Sequence, residues 1–156
     1  MVSYYKGFNF GELRYGKGIK SHLGILHKYF VGETQGIRVQ FPKVKIVEID
    51  SETVTLDFEE RGSCFFQRLK ELNTGTIPKK LRPGVQFNSL SSRISMKIND
   101  STLYFTEENC ITTLNDIRSN SEHVRVVVIA SSDGLWLSEN SYGNTWTVDQ
   151  MKIYPR

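Results

Sequence analysis

The residues of this 156-residue chain that could do chemistry fall into two sets. One holds acids, thiols and imidazoles. Asp57, Glu59 and Glu60 are near neighbours, but a strand alternates its side chains and cannot aim all three at one point. They read as a solvated strand end. Cys64 sits where a helix is predicted to start, a place that can lower a thiol pKa, yet no histidine lies near it in sequence. With Cys110 it makes two cysteines and no Cys-x-x-Cys, so both are expected as free thiols in a reducing, intracellular compartment. His22, His27 and His123 are scattered, and their spacing suits no metal. No Gly-rich phosphate loop, His-Glu-x-x-His or Gly-x-Ser-x-Gly occurs. The expectation is no catalytic residue, no metal, no cofactor and no enzyme activity.

The other set interleaves cations with aromatic rings. Arg38 and Gln40, Lys43 and Lys45, Arg93 and Lys97, Arg125 and Lys152 fall opposite apolar rows in alternating segments. Tyr104 and Trp136 are expected on the same kind of face. Trp136 lies between Leu135 and Leu137 and must point away from them. Cations that follow phosphates and rings that stack on bases are what a single-stranded nucleic acid requires. The bland alternative is a solvated strand face, where Lys and Arg are common. Charge segregation adds weight. The net charge is +3, but residues 1–45 hold eight Lys/Arg against two acids, and residues 76–98 hold five against none. A basic face attracts polyanions. The expected phosphate contacts are Lys6, Arg14, Lys17, Lys20, Arg38, Lys43, Lys45, Arg93, Lys97 and Arg125. Tyr104 and Trp136 come first for stacking, with Tyr15 and Tyr142 behind them. Trp146 shares a face with Val148 and is expected in the core.

Short strands must position these residues. Ile37, Val39 and Phe41 alternate with polar residues up to Pro42. Val44 and Ile46, a turn at Asp50-Ser51-Glu52, and Val54, Leu56 and Phe58 predict a hairpin. Ser63 could cap a helix from Cys64 to Leu72. Ile94, Met96 and Ile98, a turn at Asn99-Asp100, and Leu103 and Phe105 predict a second hairpin with those apolar residues inward. Glu108 to Ile117 can hold a short helix. Strands follow at Val124–Ala130, Leu135–Ser138 and Thr145–Tyr154. Residues 1–35, rich in glycine and aromatics, suit short strands or a segment packed on a sheet. No run of eighteen apolar residues exists, so no membrane span is expected. About seven short strands in a single domain over 1–156 predict an all-β fold with one or two short helices. The favoured form is an OB-like, partly closed Greek-key barrel with extra strands, and the alternative is a β-sandwich.

In this order the pieces resemble the OB-fold single-stranded-DNA-binding proteins of large DNA viruses, related in fold to those of phages. The resemblance rests on Gly36-Ile-Arg-Val-Gln-Phe-Pro42 with the Thr53–Phe58 strand and Phe65-x-x-x-Leu69. It rests equally on Arg93–Ile98 with Thr102–Phe105, and on Gly134-Leu-Trp136 with Tyr142–Ile153. It covers about residues 36–154. It implies sequence-independent coating of single-stranded DNA in viral replication, recombination or repair, with no cofactor. RNA is a further candidate ligand, and some relatives self-associate. Phage members recruit replication proteins with an acidic C-terminal tail; this sequence ends at Pro155-Arg156 without one, so either the protein works without a tail or the sequence is trimmed. The competing reading is a β-rich protein-interaction or structural domain that buries Trp136.

Overall fold

A computed structural model describes residues 2–21, 24–58, 86–87, 93–137 and 141–155, with backbone alone for Phe10, Ser21, 86–87 and 141–144. The strands are β1 (Ser3–Tyr4), β2 (Leu13–Ser21), β3 (Gly24–Val31), β4 (Thr34–Gln35), β5 (Ile37–Gln40), β6 (Val44–Ile49), β7 (Thr53–Asp57) and β8 (Gln86–Phe87). Then come β9 (Arg93–Lys97), β10 (Leu103–Phe105), β11 (Ile111–Thr112), helix α1 (Leu114–Ser119), β12 (Val124–Ser132), β13 (Gly134–Leu137), β14 (Ser141–Asn144) and β15 (Thr147–Pro155). The expected helix from Cys64 to Leu72 lies outside the described residues.

Five strands close a barrel in the order β6-β7-β9-β15-β12 and back to β6. In chain order this is first, second, third, fifth, fourth, the Greek-key path of an OB barrel. Closure rests on a short seam: Thr147 pairs with Lys97, and the Lys97 amide donates to the Trp146 carbonyl at 2.9 Å. The first strand is long and bent. β5 and β6 flank Phe41-Pro42-Lys43, and the Phe41 amide donates to the Val128 carbonyl at 2.9 Å, which holds the bend against β12. The predicted hairpin is β6–β7, with Ile46 opposite Leu56 and Ile49 opposite Val54. Asp50 makes its turn by accepting from the amides of Glu52 and Thr53 at 2.7 and 2.8 Å. Those bonds favour the carboxylate, and Asp50 titrates below its ordinary value because of them.

β12 alternates buried and half-buried residues along its whole length, with Val124, Val126, Val128 and Ala130 inside. Trp146 is only 1% exposed and meets Phe41 edge-on at 5.1 Å, and Phe41 contacts Phe58 at 5.5 Å. The expectation that Trp146 is core is met. Thr113 caps α1 by accepting from the Asp116 amide, and Ile117 anchors the helix in the core.

The second expected hairpin does not form. The turn at Asn99-Asp100 is followed by β10, but β15 lies between β9 and β10, and β10 runs parallel to β15. The faces of β10 are also the reverse of those expected. Thr102 and Tyr104 are buried, whereas Leu103 is 47% exposed. The buried Thr102 hydroxyl donates to the Val148 carbonyl at 2.7 Å, which fixes that parity. Tyr104 is therefore a core residue whose phenol burial pushes its pKa up, and it is not a stacking platform.

The remaining strands form a second sheet, β2-β3-β13-β14-β8, with β4 on β3. β13 and β14 are a hairpin inside the connection from β12 to β15, and β3 pairs antiparallel with β13. The N-terminal segment thus splits its work. β1 adds to β5, while β2–β3 clamps the long connection between the fourth and fifth barrel strands.

Candidate nucleic-acid interface

OB barrels present ligands to the face of their second and third strands and to the loops joining strands one to two and four to five. Here those are β7, β9, the Asp50–Glu52 turn and the β13–β14 hairpin. Outward positions on β7 and β9 carry Thr53, Thr55 and Asp57, paired with Lys97, Ser95 and Arg93. The Thr55 and Ser95 hydroxyls bond each other at 2.8 Å. Arg93 Nε lies 3.5 Å from Asp57.

A groove of about 320 Å³ opens between this barrel face and the hairpin, lined by Leu26, Lys97, Ser131, Asp133, Trp136 and Thr147, with Gly134 and Thr145. Leu135 and Leu137 are buried, and Trp136 between them is half-buried and faces the groove. Trp136 pairs across strands with Leu26, which pairs in turn with Ile19, so one wall is an apolar row ending in an indole. The opposite side carries Lys97, whose strand neighbours Thr53 and Thr147 are uncharged. Gly134 sets the approach of β13 to β3. A Cβ there would sit 2.3 Å from the His27 carbonyl oxygen and 2.8 Å from the Lys28 Cα. The arrangement offers a ring for a base, a cation for a phosphate and hydroxyls for the sugar–phosphate backbone. Asp133 repels phosphate from its own end.

Of the residues expected from sequence, the groove brings together Lys97 and Trp136. The others are distributed. Arg14 is exposed and donates to the Gly32 carbonyl. Tyr15 packs edge-on to the buried Tyr29 at 5.5 Å and serves the core. Lys17 is exposed in a bulge of β2, and Lys20 is aligned with Ile25 and Leu137, on the sheet face away from Trp136. Lys6 is exposed after β1, its ammonium 5.9 Å from the Tyr5 ring. Arg38 is bound to Asp149 at 3.1 Å, and Asp149 also accepts from the Ser131 hydroxyl. Lys43, Lys45 and Arg125 gather at the other end of β12. The Tyr142 side chain lies outside the described residues. Sequence reasoning missed Leu26, Asp133 and the hydroxyl set, because ordinary residue types gave no signal that the N-terminal hairpin pairs with β13. Among the described residues, no group of three His, Cys, Asp or Glu could hold a metal ion.

No protein-family model matches the sequence, and no curated protein matches it. A solved structure does. The single-stranded DNA-binding protein from bacteriophage Enc34, in a C-terminal truncation, superposes with a TM-score of 0.52 at 10% identity. The match covers 94% of this chain and 96% of that one. The fold is an OB-like barrel. The likeness extends over the added strands as well as the barrel, and it is to a phage protein rather than to one from a large DNA virus.

Proposed function

We propose that the protein binds single-stranded DNA without sequence preference, in replication, recombination or repair of a viral genome, as a binding protein rather than an enzyme. The observation that carries this is the placement of Trp136 across a groove from Lys97, on the barrel face and connecting hairpin where OB folds take oligonucleotides. The phage neighbour's own name supports the same ligand. In this reading Trp136 stacks on a base and Lys97 takes a phosphate. Thr145 and Thr147 bond the backbone, which leaves the choice of base free. RNA, replication proteins and a second copy of the chain remain candidate partners. The reading also places the protein in a reducing compartment, where the exposed Cys110 thiol stays reduced.

Titration with labelled oligo-dT at several salt concentrations tests it. About five contacted phosphates give a log–log salt slope near −3.5 on a single strand. Tryptophan emission should be quenched by oligo-dT and left unchanged by a short duplex. Affinity no better than for heparin, together with indifference to Trp136→Ala, would sink the proposal.

A further inference from the structure

A second groove, about 360 Å³, lies on the outer face of β12 and β15, from Ile129, one outward position along from Ser131 of the first groove, to Tyr154. Its floor is Val127 and Ile129, and its walls include Phe105, Tyr154, Lys152 and Asn109. The Tyr154 ring is the centre of a cationic cluster. Lys43 Nζ lies 4.0 Å from its centroid and Lys152 Nζ 5.4 Å, and Lys152 also donates to Asn109 Oδ1 at 2.8 Å. Across the strands Tyr154 is aligned with Arg125, and Arg125 with Lys45. Like charges directly opposed on neighbouring strands destabilise a sheet. Arg125 and Lys45 are such a pair, although Asp57, directly opposite Lys45 on its other side, offsets part of the charge. The residues lining this groove include no acid. Glu107 and Glu108 are exposed on the turn before Asn109, and Asp57 is the direct cross-strand partner of Lys45 and also lies beside Arg93. Solvated lysines resting on a tyrosine explain the contacts with the ring, but not four cations beside an open apolar floor.

We propose that a single strand held at Trp136 continues onto this face, where Tyr154 stacks on a second base and Lys43, Lys45, Arg125 and Lys152 take its phosphates. This rests on the single-stranded-DNA reading above and extends it. Outward residues Ser131 and Arg125 mark the two ends of β12, six residues or roughly 20 Å apart. Only an oligonucleotide long enough to span that distance reaches both the first groove and the cations around Tyr154 and Arg125.

Oligo-dT of about three and about twenty nucleotides separates the two sites, since at about 3.4 Å or more per nucleotide a six-mer already spans roughly 20 Å. The double variant Lys43→Gln/Lys152→Gln should reduce the salt slope for the long oligonucleotide by about 1.4, two phosphates' worth. Tyr154→Leu should weaken it roughly tenfold, one lost stacked base, and Tyr154→Phe should restore it. Binding of the short oligonucleotide, and its quenching of Trp136, should be unchanged in all three. An equal loss at both lengths overturns the proposal. So does no loss with the long oligonucleotide, in which case intact Trp136 quenching leaves the first groove standing and the face becomes a protein-docking surface. If the unaltered protein binds neither length, the underlying reading falls as well.

Discussion

Trp136→Ala is the sharpest perturbation of the groove. It removes the indole wall while leaving Leu26 across the strand and Lys97 opposite. One stacked base is worth about 1–3 kcal/mol, so the dissociation constant for oligo-dT should rise roughly five- to 150-fold. The salt slope should not move, because no phosphate contact is lost. The chain carries its own optical control. Of its two tryptophans, Trp146 is buried against Phe41, so ligand-induced quenching belongs to Trp136. Trp136→Phe should keep most of the affinity and lose the quenching, whereas Trp136→Ala should lose both. Trp136 is half-buried, so its truncation should cost less stability than the 3–5 kcal/mol typical of a core tryptophan, and a thermal melt verifies that the variant is folded. Three results would refute the assignment: unchanged affinity in Trp136→Ala, quenching that survives in Trp136→Phe, or a slope reduced by about 0.7 or more, which would make the loss electrostatic.

Lys97→Gln should show the converse signature, a salt slope smaller by about 0.7 with Trp136 quenching retained at saturation, measured in the same titrations. Gly134→Ala should cost about 1–3 kcal/mol by overpacking, since the new methyl meets β3 backbone, and thermal melts should show a Tm lower by several degrees. It should also weaken oligo-dT by displacing Trp136. Tyr104 has its pKa raised above 10.0 by burial, so the phenol is held neutral in the fold. Its contribution is fully present below the unfolded-state value of about 10 and is lost as pH rises through the folded-state value. Tyr104→Phe should therefore flatten the fall of Tm above about pH 10, and an unaltered profile would assign that fall to other groups.

The barrel's regular strands were legible because a period of two is the direct consequence of one wet face and one buried face. β7 and β12 have it without a break, β6 keeps it up to a bulge between Ile46 and Glu48, and the same rule separated Trp136 from Trp146. It failed at β10, a three-residue strand that turns Tyr104 inward, as it does Thr102 just before it, and Leu103 and Phe105 outward. A hydroxyl bonded to a neighbouring carbonyl and a large ring filled the core there, so hydrophobicity pointed the wrong way. The order β9-β15-β10 was out of reach for a different reason. A turn at Asn99-Asp100 fits a hairpin as well as it fits a chain leaving its sheet. The seam that decides is one pair between β9 and β15, more than forty residues apart.

The candidate site was legible as residue types and hidden as a place. Alternation tells which side chains leave the core, but the outside of a closed barrel faces every direction. Ten cations named by one rule were therefore bound to spread, as Arg38, Lys6 and Arg125 do. What makes a groove is a partner for the barrel face, and that partner is the β13–β14 hairpin. A two-stranded ribbon is marginal on its own. Here β2 and β3 extend it into a sheet, and the close approach at Gly134 keeps the ribbon against β3. Trp136 and Lys97 then line one groove, and the connection that carries Trp136 ends at Trp146, whose carbonyl receives the Lys97 amide. The glycine- and aromatic-rich start of the chain, through β2 and β3, is thus what holds Trp136 in position.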